Sequence, residues 1–442
     1  MHSTKKQKII MTSISCFFTA IMTTESVYAD LPAPYKQVCI SLGSKNSLTP
    51  EQQNFKNICN KIVGLDDKAD NDAVAALRHE EIATQGNASL ESSRKHTASI
   101  SQRINTLRQS KVGGSSGDDN DLLEASRWGF FTNIGHNKGD RIKTVGVAGV
   151  GALGDASQAM VQGERAFDYD GSDLSIGLDY RFPGDKFIVG TALGYNKIES
   201  TFTTQAGRTK LKGQHISAYT SYLPSEHMYI DGIISLGNNA INASRPVPVF
   251  DNVTGVVLAT DGRAFADTDS QQIAMSIGIG YEYNRSAWNI TPYTRLDYTK
   301  TKIDNYTETV LDNNPTGRDS RGMILSIKDQ SATSLISTLG IRTSYPISSS
   351  GGVFIPQASL ELNHQFKSDD RFINATLPVA SNLGSDNPNT QTSQLDRNYL
   401  TLGVGVSAIF PNGHSGFVQI ESLQGSDDLS DTAIKAGYRL EF

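Results

Sequence analysis

The chain has 442 residues and a formal charge of −6, from 46 Asp and Glu against 40 Lys and Arg. It lacks the basic stripe that marks a nucleic-acid partner, so that class is excluded. Mean hydropathy is −0.33, and no stretch holds the 18 or so consecutive apolar residues of a transmembrane helix. Strands that alternate lipid-facing and polar residues would leave the average just as low.

Lys5, Lys6 and Lys8 precede an uncharged, mostly apolar run over 9–21, and Val27-Tyr28-Ala29 supplies small residues at the two positions a signal peptidase reads. Residues 1–29 therefore read as a signal peptide, cut between Ala29 and Asp30. Cys16 makes a poor lipid anchor, because Ser13 stands where a lipobox has Leu and the apolar stretch continues through Phe17 and Phe18. Cleavage removes three Lys and Glu25, which moves the charge from −6 to −8 and leaves Cys39 and Cys59. An even pair in an exported chain reads as a disulfide rather than a redox or zinc site.

Residues 72–109 are rich in Ala, Glu, Gln, Arg and Ser, lack Pro, and space out Leu77, Ile82, Leu90, Ile100, Ile104 and Leu107. This composition predicts a helix with Gly86 as its weakest point. A helix polar nearly all round needs something to surround it, and a hydrated barrel lumen is one such surrounding. Gly113-Gly114-Ser115-Ser116-Gly117 follows as a flexible hinge.

From Trp128 onward the pattern is strand, turn, strand, loop. Leu174, Ile176, Leu178, Tyr180 and Phe182 alternate with Ser175, Gly177, Asp179 and Arg181, a polar set suited to a hydrated lumen. The segments 273–283 and 288–299 alternate in the same way, with Pro292 costing one ladder donor. Twelve strands are predicted, beginning near Trp128, Leu174, Phe187, His215, Met228, Ile273, Trp288, Leu335, Val353, Leu400, Gly416 and Ala433. Short links at 183–185, 224–227, 284–287, 346–352 and 411–413 alternate with long polar ones at 135–173, 197–212, 238–270, 301–334 and 367–398, and a shorter one at 425–431. Short periplasmic turns and long external loops are the habit of outer-membrane barrels. The even count places both barrel ends on the periplasmic side. Aromatic residues near strand ends, among them Trp128, Tyr195, Trp288 and Phe442, suit the headgroup boundary.

The run Lys435-Ala436-Gly437-Tyr438-Arg439-Leu440-Glu441-Phe442 resembles the terminal assembly signal of such barrels, carried by Gly437, Tyr438, Leu440 and Phe442. Trp128-Gly129-Phe130 and the segments 173–182 and 189–195 resemble the opening strands of the autotransporter translocator domain, a resemblance covering roughly 125–442. Upstream, Cys39, Leu48-Thr49-Pro50-Glu51-Gln52-Gln53 and Cys59 are similar to a small disulfide-closed segment that joins passenger to translocator in some large adhesins. Ser101-Gln102-Arg103-Ile104-Asn105-Thr106-Leu107-Arg108 resembles the end of the helix that occupies the pore, which implies a pore role for Ile100, Arg103, Ile104 and Leu107. Where relatives that cut themselves inside the barrel carry an Asn pair, this chain has Ala98-Ser99, so self-cleavage is not expected. No large passenger separates the signal peptide from the disulfide segment.

Other motifs fit less well. Gly149-Val150-Gly151-Ala152-Leu153-Gly154 spells a dinucleotide fingerprint without the strand and helix that one needs. The hinge spells G-x-S-x-G in the reverse structural order for a nucleophile elbow. Of His136, His215, His227, His364 and His414, His215 shares the lumen side with Ser217, where polar lining is the better reading than catalysis. Asp118, Asp119, Asp121 and Glu124 read as a solvated acidic linker rather than a calcium loop. The expected organisation is a signal peptide (1–29), a disulfide-closed segment (30–71), a linker helix and hinge (72–124), and an all-β transmembrane barrel of twelve antiparallel strands (125–442) with the helix in its lumen. No enzymatic activity, cofactor or metal is expected. Outer-membrane lipid, the barrel-assembly machinery and periplasmic chaperones are the expected partners, with room for a surface ligand. The resemblance implies a translocator that threads its own N-terminal segment through the pore, against the alternatives of a porin-like channel or a barrel-borne hydrolase.

Overall fold

The computed structural model describes residues 33–62, 80–113, 127–141, 167–202, 207–251, 253–310, 318–367, 372–383, 390–392, 396–426 and 429–442. The cleavage residues Val27, Ala29 and Asp30, the acidic run 118–124 and the glycine motif 149–154 lie outside the described residues.

Twelve antiparallel strands form one closed ring: β1 (Trp128–Arg141), β2 (Phe167–Arg181), β3 (Phe187–Phe202), β4 (Arg208–Tyr222), β5 (Met228–Asp251), β6 (Val256–Tyr281), β7 (Trp288–Ile303), β8 (Gln330–Ser344), β9 (Gly352–Gln365), β10 (Asn398–Ile409), β11 (His414–Gln424) and β12 (Leu429–Glu441). Each pairs with its sequence neighbour, and β12 pairs with β1 from Gly129↔Glu441 to Arg141↔Leu429. Closure leaves no free sheet edge, which a membrane-spanning sheet requires because lipid cannot satisfy backbone donors and acceptors. Pro292 falls where the β6–β7 ladder is interrupted. Pairing stops at Gly280↔Tyr293 and resumes at Tyr283↔Ile290, so the missing N–H costs little.

Burial is inverted relative to a water-soluble protein. Leu174, Ile176 and Leu178 of β2 are 42, 40 and 41% exposed on the outer wall, while Ser175 and Asp179 between them are 1 and 2% exposed toward the lumen. Such an outer wall is stable only against hydrocarbon.

Strands that begin after short links start where the alternation places them, at Phe187, Met228 and Trp288. Those that begin after long loops start earlier than expected: Phe167 rather than Leu174, Arg208 rather than His215, and Val256 rather than Ile273. The segment 238–270, read as a long polar loop, is instead a hairpin in which β5 and β6 pair from Met228↔Tyr281 out to Asp251↔Val256. Along its first part Asn238 and Asn242 face outward and Ile241 inward, so the alternation continues with its phase reversed and no apolar outward stripe marks the ladder.

Among the described residues, three helices precede the barrel: α1 (Ala33–Gly43), α2 (Pro50–Ile62) and α3 (Glu80–Gly113). α3 ends at Gly113 rather than 109 and takes up the first glycine of the expected hinge. Its 34 residues span about 51 Å at roughly 1.5 Å per residue, enough to traverse a bilayer core about 30 Å thick.

Candidate functional site

α3 lies in the lumen, and its polar character follows from that setting. A face that would be solvated on a surface helix meets inward side chains here. Ile100, Ile104 and Leu107 make one apolar stripe, packed with Phe131, Ile188, Ala192, Tyr219 and Ile233 from β1, β3, β4 and β5. Arg103 stands beside that stripe, 2% exposed. Its Nε donates to Asp179 Oδ2 at 2.9 Å, with a second bond from the same guanidinium, and its guanidinium carbon lies 4.8 Å from the Phe131 ring centroid. Asp179 also meets Arg439 of β12 at 3.6 Å and accepts from Tyr219 Oη at 3.4 Å. The four helix residues singled out from sequence are thus brought together against one side of the barrel. Their carboxylate partner sits in the polar set read on β2, but nothing in the sequence places it at the depth of Arg103.

Further along the helix, Arg108 donates to both carboxylate oxygens of Asp231 at 2.8 and 2.7 Å and sits 3.6 Å from the Tyr229 ring centroid. Asn105 accepts from Arg342 of β8 at 2.7 Å. Toward the long-loop end, Ser92 Oγ lies 3.0 Å from His215 Nε2 and donates within 2.9–3.0 Å of Asn196 and Asn239. Ser89 meets Ser270 at 3.2 Å, and Lys95 donates to Asn137 of β1. Gly213 faces this cluster, and a Cβ there would collide with Asn196, Asn239 and Ser92. A glycine is what lets the helix approach the wall.

His215 therefore pairs with Ser92 rather than Ser217, which instead meets His96 Nε2 at 2.5 Å. The two imidazoles stack at 4.9 Å. In a nucleophile triad a third group would hold His215 Nδ1, and that atom has no hydrogen-bond partner among the described residues. The geometry is that of a polar seam between helix and wall. On the opposite side, between α3 and β7–β12, a cavity of ≈ 240 Å³ remains, with Arg295, Glu361, Glu421 and Lys435 among its lining.

At the long-loop end, α1 and α2 form a hairpin joined by the Cys39–Cys59 disulfide, Cα atoms 5.7 Å apart. α2 starts on a capping box: Thr49 Oγ1 accepts from Gln52 N, and Gln52 Oε1 accepts from Thr49 N, both at 3.2 Å. Val38, Leu42, Phe55 and Ile58 share one core with Val247, Phe250, Ala264 and Ala266 of the β5–β6 hairpin, and with Met323, Leu325, Ile373 and Leu377 from the loops after β7 and β9. Beneath it Arg245 and Glu308, each 3% exposed, make a two-bond ion pair at 2.8 and 2.6 Å. Arg245 also donates to Met323 O, and Glu308 accepts from Leu325 N, each at 2.8 Å. Burial pushes the Tyr35 phenol up to about 12. This docking was not legible in the sequence, because the residues of its core come from segments scattered from α1 to the loop after β9.

Of the C-terminal residues, Tyr438 and Phe442 face outward, 45 and 59% exposed. Leu440 pairs with Phe130 across the closing seam, and a Cβ at Gly437 would meet Phe417 and Asn133. Phe442 N donates to Trp128 O at 3.0 Å, so the last residue closes the ring.

A closed twelve-stranded barrel with an apolar outer wall, and a lumen holding a helix from its own N-terminal side, defines an outer-membrane translocator-type domain. The chain matches the family model described as the autotransporter β-domain over residues 145–421, and it belongs to that family. It is 26% identical over 283 residues to the BrkA autotransporter of Bordetella pertussis, covering 63% of this chain and 24% of that one. It is 27% identical over 214 residues to an uncharacterized protein of Pseudomonas putida, covering 46% of this chain and 31% of that one. The chain thus spans less than a third of the length of these relatives. The fold is similar to that of the translocator domain of the autotransporter NalP from Neisseria meningitidis, with a TM-score of 0.51 at 14% identity over 78% of this chain and 99% of that one.

Proposed function

We propose that the barrel passes its own N-terminal segment outward through the lumen, that α3 then remains as a plug, and that the α1–α2 hairpin stays outside as a disulfide-closed stop. The observation that carries this reading is the placement of α3. It is bonded to inward side chains of β1, β2, β4 and β5 along its length, with the disulfide hairpin docked at the long-loop end. A helix whose upstream end is folded into a compact domain at one mouth cannot slide back through a filled pore. The long loops face outside, and the terminal signal at Gly437, Tyr438, Leu440 and Phe442 hands the chain to the barrel-assembly machinery after periplasmic chaperones deliver it.

An epitope placed just after Ala29 and a second between Gly114 and Ser115 test the topology on intact cells. Labelling of the first alone is expected. If neither labels until the outer membrane is permeabilised, the N-terminal segment is periplasmic and an open channel becomes the better account.

A further inference from the structure

Alternation along each strand decides which side chains face outward, and the outward set changes at a definite height. On all twelve strands the first outward polar side chain beyond the apolar belt, toward the long loops, is Lys, His, Ser, Thr, Asn or Gln. No carboxylate stands in that ring. Lys197, Lys300, His136 and His364 do.

The cations concentrate on β3 and β4. Tyr195 and Ile216 close the apolar belt there, 44 and 54% exposed. Lys197 follows two residues beyond Tyr195, about 7 Å further along the strand. In the ladder Lys197 is the direct partner of Lys212, whose other neighbour is Ala240 of β5. Like charges directly opposite one another are destabilising unless something anionic lies between them. Lys210 and Arg208 follow on the same outward face of β4. The first carboxylate enters one row beyond Lys197, where Glu199 is the direct ladder partner of Lys210. Glu199 is ion-paired with Arg208 and lies 3.7 Å from Lys197, and Asp170 stands beside Glu199. Lys210 and Lys212 make no ion pair among the described residues.

A surface with an apolar floor, an aromatic ring at its edge and four cations gathered around the single carboxylate of Glu199 above it fits a lipid that carries acyl chains and phosphate on one molecule. We propose that the outer wall of β3 and β4, at Lys197, Lys210, Lys212 and Arg208, binds the phosphorylated saccharide headgroup of a lipid in the outer leaflet. The site uses only the orientation adopted above, with the long loops outside. Lipid binding in detergent does not depend on that orientation, so failure of one can be told from failure of the other.

The test uses the full mature chain in detergent, with its folded state confirmed by heat-shifted gel mobility. Bisphosphorylated lipid A, its dephosphorylated form and inorganic phosphate are titrated against wild type, the triple variant K197Q/K210Q/K212Q, and K186Q/R285Q, which removes two cations at the short-turn end. Each Lys at an anionic lipid surface contributes about a factor of five. The triple variant should therefore bind lipid A about a hundredfold more weakly, with K186Q/R285Q unchanged and the dephosphorylated lipid bound no better by wild type than by the triple variant. Equal affinity of wild type and triple variant for lipid A would overturn the proposal. So would full displacement of lipid A by low-millimolar inorganic phosphate, which would make this a phosphate site rather than a lipid site.

Discussion

Replacing Arg103 by Met removes the cation from the buried pair that ties α3 to β2. Both partners are 2% exposed, so water cannot take over the lost interaction. Breaking one side of a buried pair costs about 3–5 kcal/mol. Asp179 keeps Arg439 at 3.6 Å and Tyr219 at 3.4 Å, which places the cost at the lower bound, about 3 kcal/mol. That is roughly a hundredfold shift toward the undocked helix. Hydrogen exchange of the α3 amides in the folded barrel reads this shift directly, and heat-shifted gel mobility shows that the barrel itself remains intact. The double variant R103M/D179N should recover part of the protection, because neutralising the carboxylate that lost its main partner removes most of the penalty while Arg439 keeps Glu441. R94M is the control: Arg94 is 43% exposed, pairs with Glu91 within the helix and meets the wall at Asp431 of β12 only at 3.8 Å, so its loss should change protection by less than about 1 kcal/mol. Equal α3 exchange in R103M and wild type would refute the view that this pair holds the helix.

Deleting Phe442 removes the residue that closes the seam onto Trp128, and membrane-inserted yield measured against total protein should fall. The variant C39S/C59S opens a loop of 20 residues, worth about 3 kcal/mol in the chain-entropy treatment. Limited proteolysis should then cut within 33–62 while the strands stay protected. E308Q strands the buried Arg245 guanidinium, and the α1–α2 hairpin should undock at lower urea than wild type, read by exchange of its amides. Burial holds the Tyr35 phenol near 12, above its ordinary value of 10.0. Its contribution to docking is therefore complete below pH 10 and lost as pH rises through about 12. A Y35F variant should lose that alkaline undocking step in the same exchange experiment.

How far the sequence could be read is clearest on β4 and β5. Within the belt β4 runs Ile216 outward with His215 and Ser217 inward, an apolar-out, polar-in alternation that assigns the strand from hydropathy alone. Beyond the belt the same ladder continues with Lys212 and Lys210 outward and Leu211 inward. There Leu211 packs with Ala88, Ile198, Ile241 and Ile303. β5 does the same, with Leu236 outward in the belt, then Asn238 and Asn242 outward and Ile241 inward. The alternation has not ended at these points. It has changed phase, because the outside has become water and the inside a packed core around the helix.

A reading that waits for apolar residues on one fixed parity stops at the phase change, which is why the expected starts at His215 and Ile273 fall late. The same reading left 238–270 as a loop. Helix partners were out of reach for a different reason. Parity assigns Asp179 and Asp231 to the lumen, but which helix residue shares their depth depends on strand tilt and on how far α3 has entered, and neither leaves a local mark. The phase change itself is local. Where inward residues turn from polar to apolar as outward ones turn from apolar to polar, the strand leaves the hydrocarbon, and on β4 that crossing falls between Ile216 and Lys212. The crossing coincides with the acid-free row of side chains, so one feature of the sequence marks both the edge of the membrane and the height at which a lipid headgroup would meet the wall.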